Sequence, residues 1–218
     1  MTPQPDPSGD WAERTEKALL EHMLAHAPSL GWSRRALLRA GADVGLSEGD
    51  VDLLCPNGPQ DAAALFSRRC DAETLAALSA IDPKTLKIRE RIARGVETWL
   101  ETAAAHIEAA RRWSGYLALP TNAALGLRLA WETADHLWRW AGDTATDENH
   151  YSKRAILSGI LIPALALRLH DGKAAADAFT AARIENVMQF EKWKAGIKPS
   201  ETAQRFVEAL SRLRYGAR

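Results

Sequence analysis

Apolar residues recur at helical spacing along nearly the whole chain, and the two-residue alternation of a half-buried strand is almost absent. An all-α fold follows, with Gly and Pro as its main punctuation. A first helix is expected over 10–26, capped by Asp10 or Ser8 and ended by Pro28 and Gly31. Ser33 caps a short helix, RRALLRAGAD, that breaks at Gly45, and Ser47 caps a second, EGDVDLLC, stopped by Pro56 and Gly58. Longer helices are expected over 60–80, 83–112, 122–142, 147–170, 173–193 and 200–215, a bundle of about ten in all. Pro163 falls inside the 147–170 helix, where it removes one backbone bond and presses on the carbonyl of Gly159. A kink is expected there, with Gly159 and the run ILSGILIPALAL opening space between helices for a ligand.

A chain of 218 residues, 46% apolar and 26% charged, has the composition of a globular body able to bury a core. The Pro-rich start, 1–9, reads as a disordered tail. Behind it the expected organisation is a helix-turn-helix-like part over 10–58, a bundle over 59–196 and a final amphipathic helix over 197–218. Cys55 and Cys70 are the only thiols and lack metal spacing, which fits a reducing compartment. Charged residues interrupt every apolar run before it reaches the roughly 18 residues a span needs. Membrane contact is therefore expected to be peripheral. MTPQPDPSGDW has no basic residue and no apolar core, so neither a secretory signal nor an Arg-rich transit peptide is expected. The expected location is cytoplasmic, at the surface of the inner (cytoplasmic) membrane.

Lys+Arg and Asp+Glu are 28 each, so bulk charge names no partner, but its distribution is uneven. The two short helices after Ser33 have the shape of a DNA-reading helix-turn-helix, whose second helix needs Arg or Lys for phosphates. The segment 46–57 has no basic residue and carries Glu48, Asp50 and Asp52 instead. Over 1–58 there are five basic residues against nine acidic ones, so repulsion from a polyanion is expected and nucleic acid is not an expected partner. The other end is the reverse. Over 192–218 seven basic residues face two acidic ones, and Ala203, Phe206, Val207, Leu210 and Leu213 fall in an arc of about 120°. Apolar area plus positive charge is what an anionic leaflet attracts, so Phe206, Val207, Leu210 and Leu213 are the expected membrane contacts.

Eight tryptophans against three tyrosines and four phenylalanines is an unusual balance, and large amphipathic rings suit interfaces as well as cores. Trp99, Trp131 and Trp138, with Gly159, Ile160 and Pro163, are the candidates for lipid contact. The sequence has no HExxH, Gly-rich phosphate loop, GxSxG or CxxC. Glu132 with His136, Asp147 with His150, and His22 with His26 have helical spacing, but none completes a ligand set, since a di-iron bundle wants Glu-x-x-His on two helices plus two further Glu. No catalytic residue, metal ligand or resident cofactor is expected. Cys55 reads as a core thiol at a helix end.

The stretch LWRWAGDTATDENHYSKRAIL over 137–157 carries a more specific signal. As residues, Thr146 or Asp147 caps a helix whose first turn places Tyr151 and Arg154 together, with Lys153 adjacent, in a polar, aromatic start of the kind that forms hot spots. As a motif it resembles the accessory lipid-binding proteins of ubiquinone biosynthesis, the ninth coenzyme Q family, through Asp143, Thr146, Asp147, Asn149, Tyr151, Ser152, Lys153 and Arg154. WSRRALLRAGADVGLSEGDVDLLCPNG and RERIARGVETWL are similar to the same family. The resemblance implies a TetR-repressor-like homodimer that has lost DNA binding, an apolar cavity for phospholipid or an isoprenoid quinone intermediate, and a membrane-engaging last helix. It further implies that Asp143, Asp147, Asn149, His150, Tyr151 and Arg154 meet a di-iron demethoxyubiquinone hydroxylase. His150 stands where the family has Trp. A ligand-responsive TetR-like transcription regulator is the alternative function, and a metal-dependent hydrolase or oxidase a third.

Overall fold

The computed structural model describes the backbone of residues 7–144 and 148–196 and the side chains of 11–144 and 150–189. Among the described residues the chain is all helical: α1 (Pro7–Leu30), α2 (Arg34–Asp43), α3 (Glu48–Leu54), α4 (Pro59–Leu78), a 3-10 turn (Pro83–Thr85), α5 (Ile88–Ala104), α6 (Ile107–Leu117), α7 (Ala123–Trp140), α8 (Glu148–His170) and α9 (Lys173–Gly196). The all-α class is as expected, and three initial helices ahead of longer ones are consistent with a TetR-like bundle. Two compact units result, Met1–Thr180 and Ala181–Arg218. The second holds the latter part of α9, where Gln189 donates to Glu185 at 3.2 Å. The segment expected as an amphipathic helix, with Phe206, Val207, Leu210 and Leu213, lies outside the described residues.

Short polar side chains set the early helix starts. Ser33 Oγ accepts from the Ala36 N–H at 3.2 Å, and Ser47 with Asp50 forms a reciprocal capping box that opens α3. The α2–α3 turn is tight because residue 41 is glycine: a Cβ there would collide with the Cγ2 of buried Val51. Outward from Val51, α3 presents Glu48, Asp50, Asp52 and Leu53, the last 85% exposed. Arg34 is committed to Asp52 through two bonds of 2.7 and 3.0 Å.

The part over 10–58 shares its core with the bundle. Trp32, Phe66 and Trp113 form an aromatic stack from α4 to its neighbours, with centroids 5.8 and 5.2 Å apart. Trp32 Nε1 donates to the Ala109 carbonyl and Trp113 Nε1 to the Ala63 carbonyl, so each indole buries its ring without stranding its N–H.

Three boundaries differ from the sequence expectation. α1 begins at Pro7, inside the expected tail, and runs on through Pro28 to Leu30. Pro28 sits in the last turns, where one lost bond is offset by burial of Leu24 and Ala27. Gly31, at φ +68°, then ends the helix with its N–H on the Ala27 carbonyl. The single helix expected over 83–112 is three elements. Asp82 caps only a 3-10 turn at Pro83, α5 starts at Ile88, and the chain bends at His106 before α6. No Gly or Pro marks that bend. It turns Ala109 toward Trp32 and Trp113 toward α4. Thr121 or Asn122 is the expected cap of the helix over 122–142; Asn122 takes the cap position of α7 but its side chain makes no capping bond, since its amide nitrogen donates to the Tyr116 carbonyl and its oxygen accepts from Gln60.

Candidate functional site

α8 runs on through Pro163 to His170. With no N–H at residue 163, the carbonyl of Gly159 loses its helical donor, and a Cβ on Gly159 would meet nothing within 4 Å. The space the helix helps enclose lies on another side of it. A cavity of about 400 Å³ is bounded by Leu161, Ile162, Leu165 and Ala166 of α8 and by Gly126, Leu127, Leu129, Ala130 and Thr133 of α7. Trp113, Ser114 and Leu117 of α6, Trp99 of α5 and Ser67 of α4 also line it, with Ala118 just after α6 and Ala123 at the start of α7. Nearly all of these are apolar, and Leu127 and Ile162 are also open to solvent, at 60% and 46%. Gly126 lets α7 approach the end of α6, since a Cβ there would press on Leu117 at 3.3 Å. The volume falls within the range of ligand pockets, about 300–1,000 Å³.

Of the six residues expected to contact a lipid, Trp99 lines this cavity. Gly159, Ile160 and Pro163 do not: residues 161, 162, 165 and 166 share one face of α8, and 160 and 163 lie well round the helix from it. Trp131 and Trp138 also face elsewhere. The Trp131 ring packs against Tyr151 at 6.2 Å, and Trp138 Nε1 donates to the Lys153 carbonyl while the Lys153 ammonium sits 5.3 Å over its ring. Nothing in the helical spacing of apolar residues such as Leu129, Ala130, Leu161 and Leu165 separates a filled core from a hollow one.

Trp131 and Trp138 belong to a second feature, where α7 and α8 meet. Tyr151 is 64% exposed and packs edge-on against His150 at 5.2 Å. Beneath it lies an ionic knot. Arg154, 1% exposed, donates from Nε to Asp135 at 2.6 Å and from Nη1 to Asp143 at 2.9 Å and to the His150 carbonyl at 3.1 Å. Lys153 reaches the other oxygen of Asp143 at 2.5 Å, and Arg139 pairs with Asp135 at 2.6 Å. Burial alone would push the Asp143 carboxyl up, but the bonds from Lys153 and Arg154 outweigh it and hold that carboxyl below the usual range. Asp135 is lowered for the same reasons, through Arg154 and Arg139. Arg154 and Asp143, both expected to meet a partner, are therefore interior to this chain and shape the patch from below. His150 and Tyr151 are its accessible members. Thr146, Asp147 and the side chain of Asn149 lie outside the described residues.

Two further polar groupings sit apart from the patch. Buried Asp71 of α4 accepts from Thr133 Oγ1 at 2.8 Å and contacts His136 Nδ1 at 3.2 Å, which raises the imidazole pKa against the opposing effect of burial. Asp43 stands between His22, at 3.5 Å, and His26, at 2.5 Å, an acidic neighbour the sequence had not placed there. Among the described residues no group of three His, Cys, Asp or Glu side chains is arranged to hold a metal ion. Cys55 is buried at the end of α3, which pushes its thiol up to about 11 and leaves it a weak nucleophile. Among the described residues no helix is long and apolar enough to cross a membrane.

Residues 123–191, which contain α7, α8 and most of α9, match the COQ9 family model. The chain is 28% identical over 157 residues to the ubiquinone biosynthesis protein COQ9, mitochondrial, of Rattus norvegicus, covering 68% of this chain and 49% of that protein. Identity to the Homo sapiens protein of the same name is 27% over 156 residues, 68% of this chain and 48% of the human one. Against the Schizosaccharomyces pombe protein it is 29% over 149 residues, 66% and 58%. The chain thus spans about half the length of the first two relatives. Both the cavity wall on α7 and α8 and the Arg154 knot lie inside the matched segment, and by that match and these relatives the chain resembles the COQ9 family of ubiquinone biosynthesis proteins.

Proposed function

We propose that this chain is a non-enzymatic accessory protein of ubiquinone biosynthesis, which holds an apolar lipid or quinone intermediate and presents it at a membrane to a partner hydroxylase. The observation that carries the reading is the 400 Å³ apolar cavity between α4 and α8, within a chain similar to proteins named for that pathway. An apolar volume of that size takes up a prenyl or acyl group by the same free-energy gain that builds a core, about 25 cal/mol per Å² removed from water. Leu127 and Ile162, exposed at its edge, give the guest an apolar route in and out. Tyr151 and His150, fixed from below by Arg154, are the surface offered to a di-iron hydroxylase. The basic, amphipathic composition of 197–218 supports peripheral attachment to the inner (cytoplasmic) membrane through Phe206, Val207, Leu210 and Leu213. The working unit in this reading is a homodimer.

The regulator alternative is disfavoured by α3, whose outward side chains are acidic and which would meet a polyanion with repulsion. The test is genetic. Removing the chain from its own cell is expected to lower ubiquinone and accumulate a prenylated precursor, with rescue by the wild-type gene. Unchanged quinone levels would overturn the proposal.

A further inference from the structure

Around the start of α5 the chain carries cations that its own folding does not use. Over 81–94 there are five basic residues against two acidic ones. Both carboxylates are committed to backbone: Asp82 Oδ1 accepts from the Lys84 N–H and Glu90 Oε2 from the Lys87 N–H, each at 2.9 Å. Arg91 is committed to the scaffold, donating from Nε to the Leu86 carbonyl at 2.9 Å and from Nη1 to the Ala141 carbonyl at 2.7 Å, and Arg94 pairs with Glu97 at 3.3 Å. Lys84, Lys87 and Arg89 remain, all exposed and with no ion pair among the described residues. Cations at the start of a helix oppose its macrodipole, so α5 gains nothing from Lys87 and Arg89. Between these two stands Ile88. It continues the stripe of α5 that buries Ile92, Val96, Trp99 and Leu100, but it lies past the edge of the core and is 47% exposed. Exposure alone is not the signal: Leu53 on α3 is more exposed still, but its neighbours Glu48, Asp50 and Asp52 are acidic.

We propose that Lys84, Lys87, Ile88 and Arg89 form a second membrane contact, which seats on the phosphates of an anionic bilayer with the isoleucine among the outer acyl carbons. The inference rests on the membrane reading above and adds a site in the first unit, distinct from residues 197–218. A bilayer is the occupant whose chemistry matches all four side chains: anionic headgroups pair with cations, and the boundary beneath them takes apolar area. A soluble polyanion would use the cations and leave Ile88 in water. The bonds of Asp82, Glu90 and Arg91 fix the loop beforehand, so docking has little backbone to order. Three cations and one apolar side chain are too weak to hold the chain alone, which leaves 199–218 as the principal anchor. The loop's part is to set which end of the first unit faces the lipid, the one where α5 starts and α7 stops.

The experiment sediments the full chain with vesicles of phosphatidylcholine, with and without phosphatidylglycerol. The triple variant Lys84→Gln, Lys87→Gln, Arg89→Gln is expected to bind the anionic vesicles at least about tenfold more weakly, since each cation near such a surface is worth about fivefold. Ile88→Ser is expected to weaken binding by about threefold to tenfold, and the charge-keeping pair Lys84→Arg, Lys87→Arg to leave it unchanged. None of these side chains is buried, so every variant is expected to match the circular dichroism of wild type. Cys55 and Cys70 are buried, so a thiol-reactive nitrobenzoxadiazole reports on Ile88→Cys alone. Its emission is expected to shift to the blue on anionic vesicles, and that of the same dye on Leu53→Cys to stay in place. Undiminished sedimentation of the triple variant, or dyes that respond alike at both positions, would overturn the loop contact while leaving the role of 199–218 intact. Dependence on the cations with no effect of Ile88→Ser and no blue shift would overturn it in favour of a soluble polyanion. Failure of wild type to sediment with anionic vesicles would overturn the membrane reading as well.

Discussion

Arg154 on α8 donates to Asp143, beyond the end of α7, at 2.9 Å, and both side chains are almost completely withdrawn from solvent. The same guanidinium holds Asp135 within α7, so one cation ties two carboxylates and the intervening turn to the start of α8. A buried ion pair adds little over a well-packed apolar substitute, but breaking one strands the remaining charges. Arg154→Met is accordingly expected to cost about 3 kcal/mol in urea unfolding, the low end for such losses because Asp135 keeps some water contact. Combining it with Asp143→Asn should recover part of that. A loss below about 1 kcal/mol would show that the knot is not structural.

The knot also sets an acid limit. Asp135 and Asp143 both have folded-state values below the ordinary carboxylate range, so their contribution is complete above an unfolded value of about 4 and is lost as pH falls through the lower folded values. Stability is expected to be flat from pH 7 to 5 on account of these groups and to fall steeply below pH 4. Arg154→Met should flatten that fall. Parallel pH profiles for wild type and variant would contradict the assignment.

Gly41→Ala separates two opposing effects. Alanine inside a helix is favoured over glycine by about 1 kcal/mol, while forcing a methyl into a packed contact costs about 1 to 3 kcal/mol. The collision with Val51 makes the second effect win, so a net loss in melting temperature is expected, reversed by adding Val51→Ala. A stabilised single variant would show that α3 yields easily.

Much of this fold was legible in the residues, for definite reasons. Ser33 and Ser47 announce their helices because a side-chain oxygen just ahead of an apolar period has one obvious use, and Gly31 and Gly45 end theirs at positive φ. The bend at His106 was not legible, since ETAAAHIEAA contains good helix formers and the bend is imposed by Trp32 and Trp113 finding carbonyls elsewhere. Arg154 was visible as part of a motif, but a charged residue reads as surface until Asp135 and Asp143 are placed beside it. Trp131 and Trp138 suggested a lipid wall because an apolar ring carries no label for cavity or contact patch.

The positive charge and apolar arc of the final segment predict that deleting 199–218 leaves the thermal unfolding of the first unit unchanged and abolishes co-sedimentation with vesicles containing anionic lipid. Raising salt should weaken wild-type sedimentation by screening. Undiminished sedimentation of the truncated chain would remove the membrane role from this segment.

The central claim is that the cavity exists to be occupied. Ala130 lines it and is 8% exposed, so Ala130→Phe directs a ring into the space without displacing a polar group. Purified wild type and Ala130→Phe, matched for folding by circular dichroism, are extracted with organic solvent and the extracts weighed per mole of protein by mass spectrometry. The account predicts stoichiometric isoprenoid or acyl lipid from wild type and a loss of at least tenfold from the variant; equal lipid from both, or none from well-folded wild type, would contradict it.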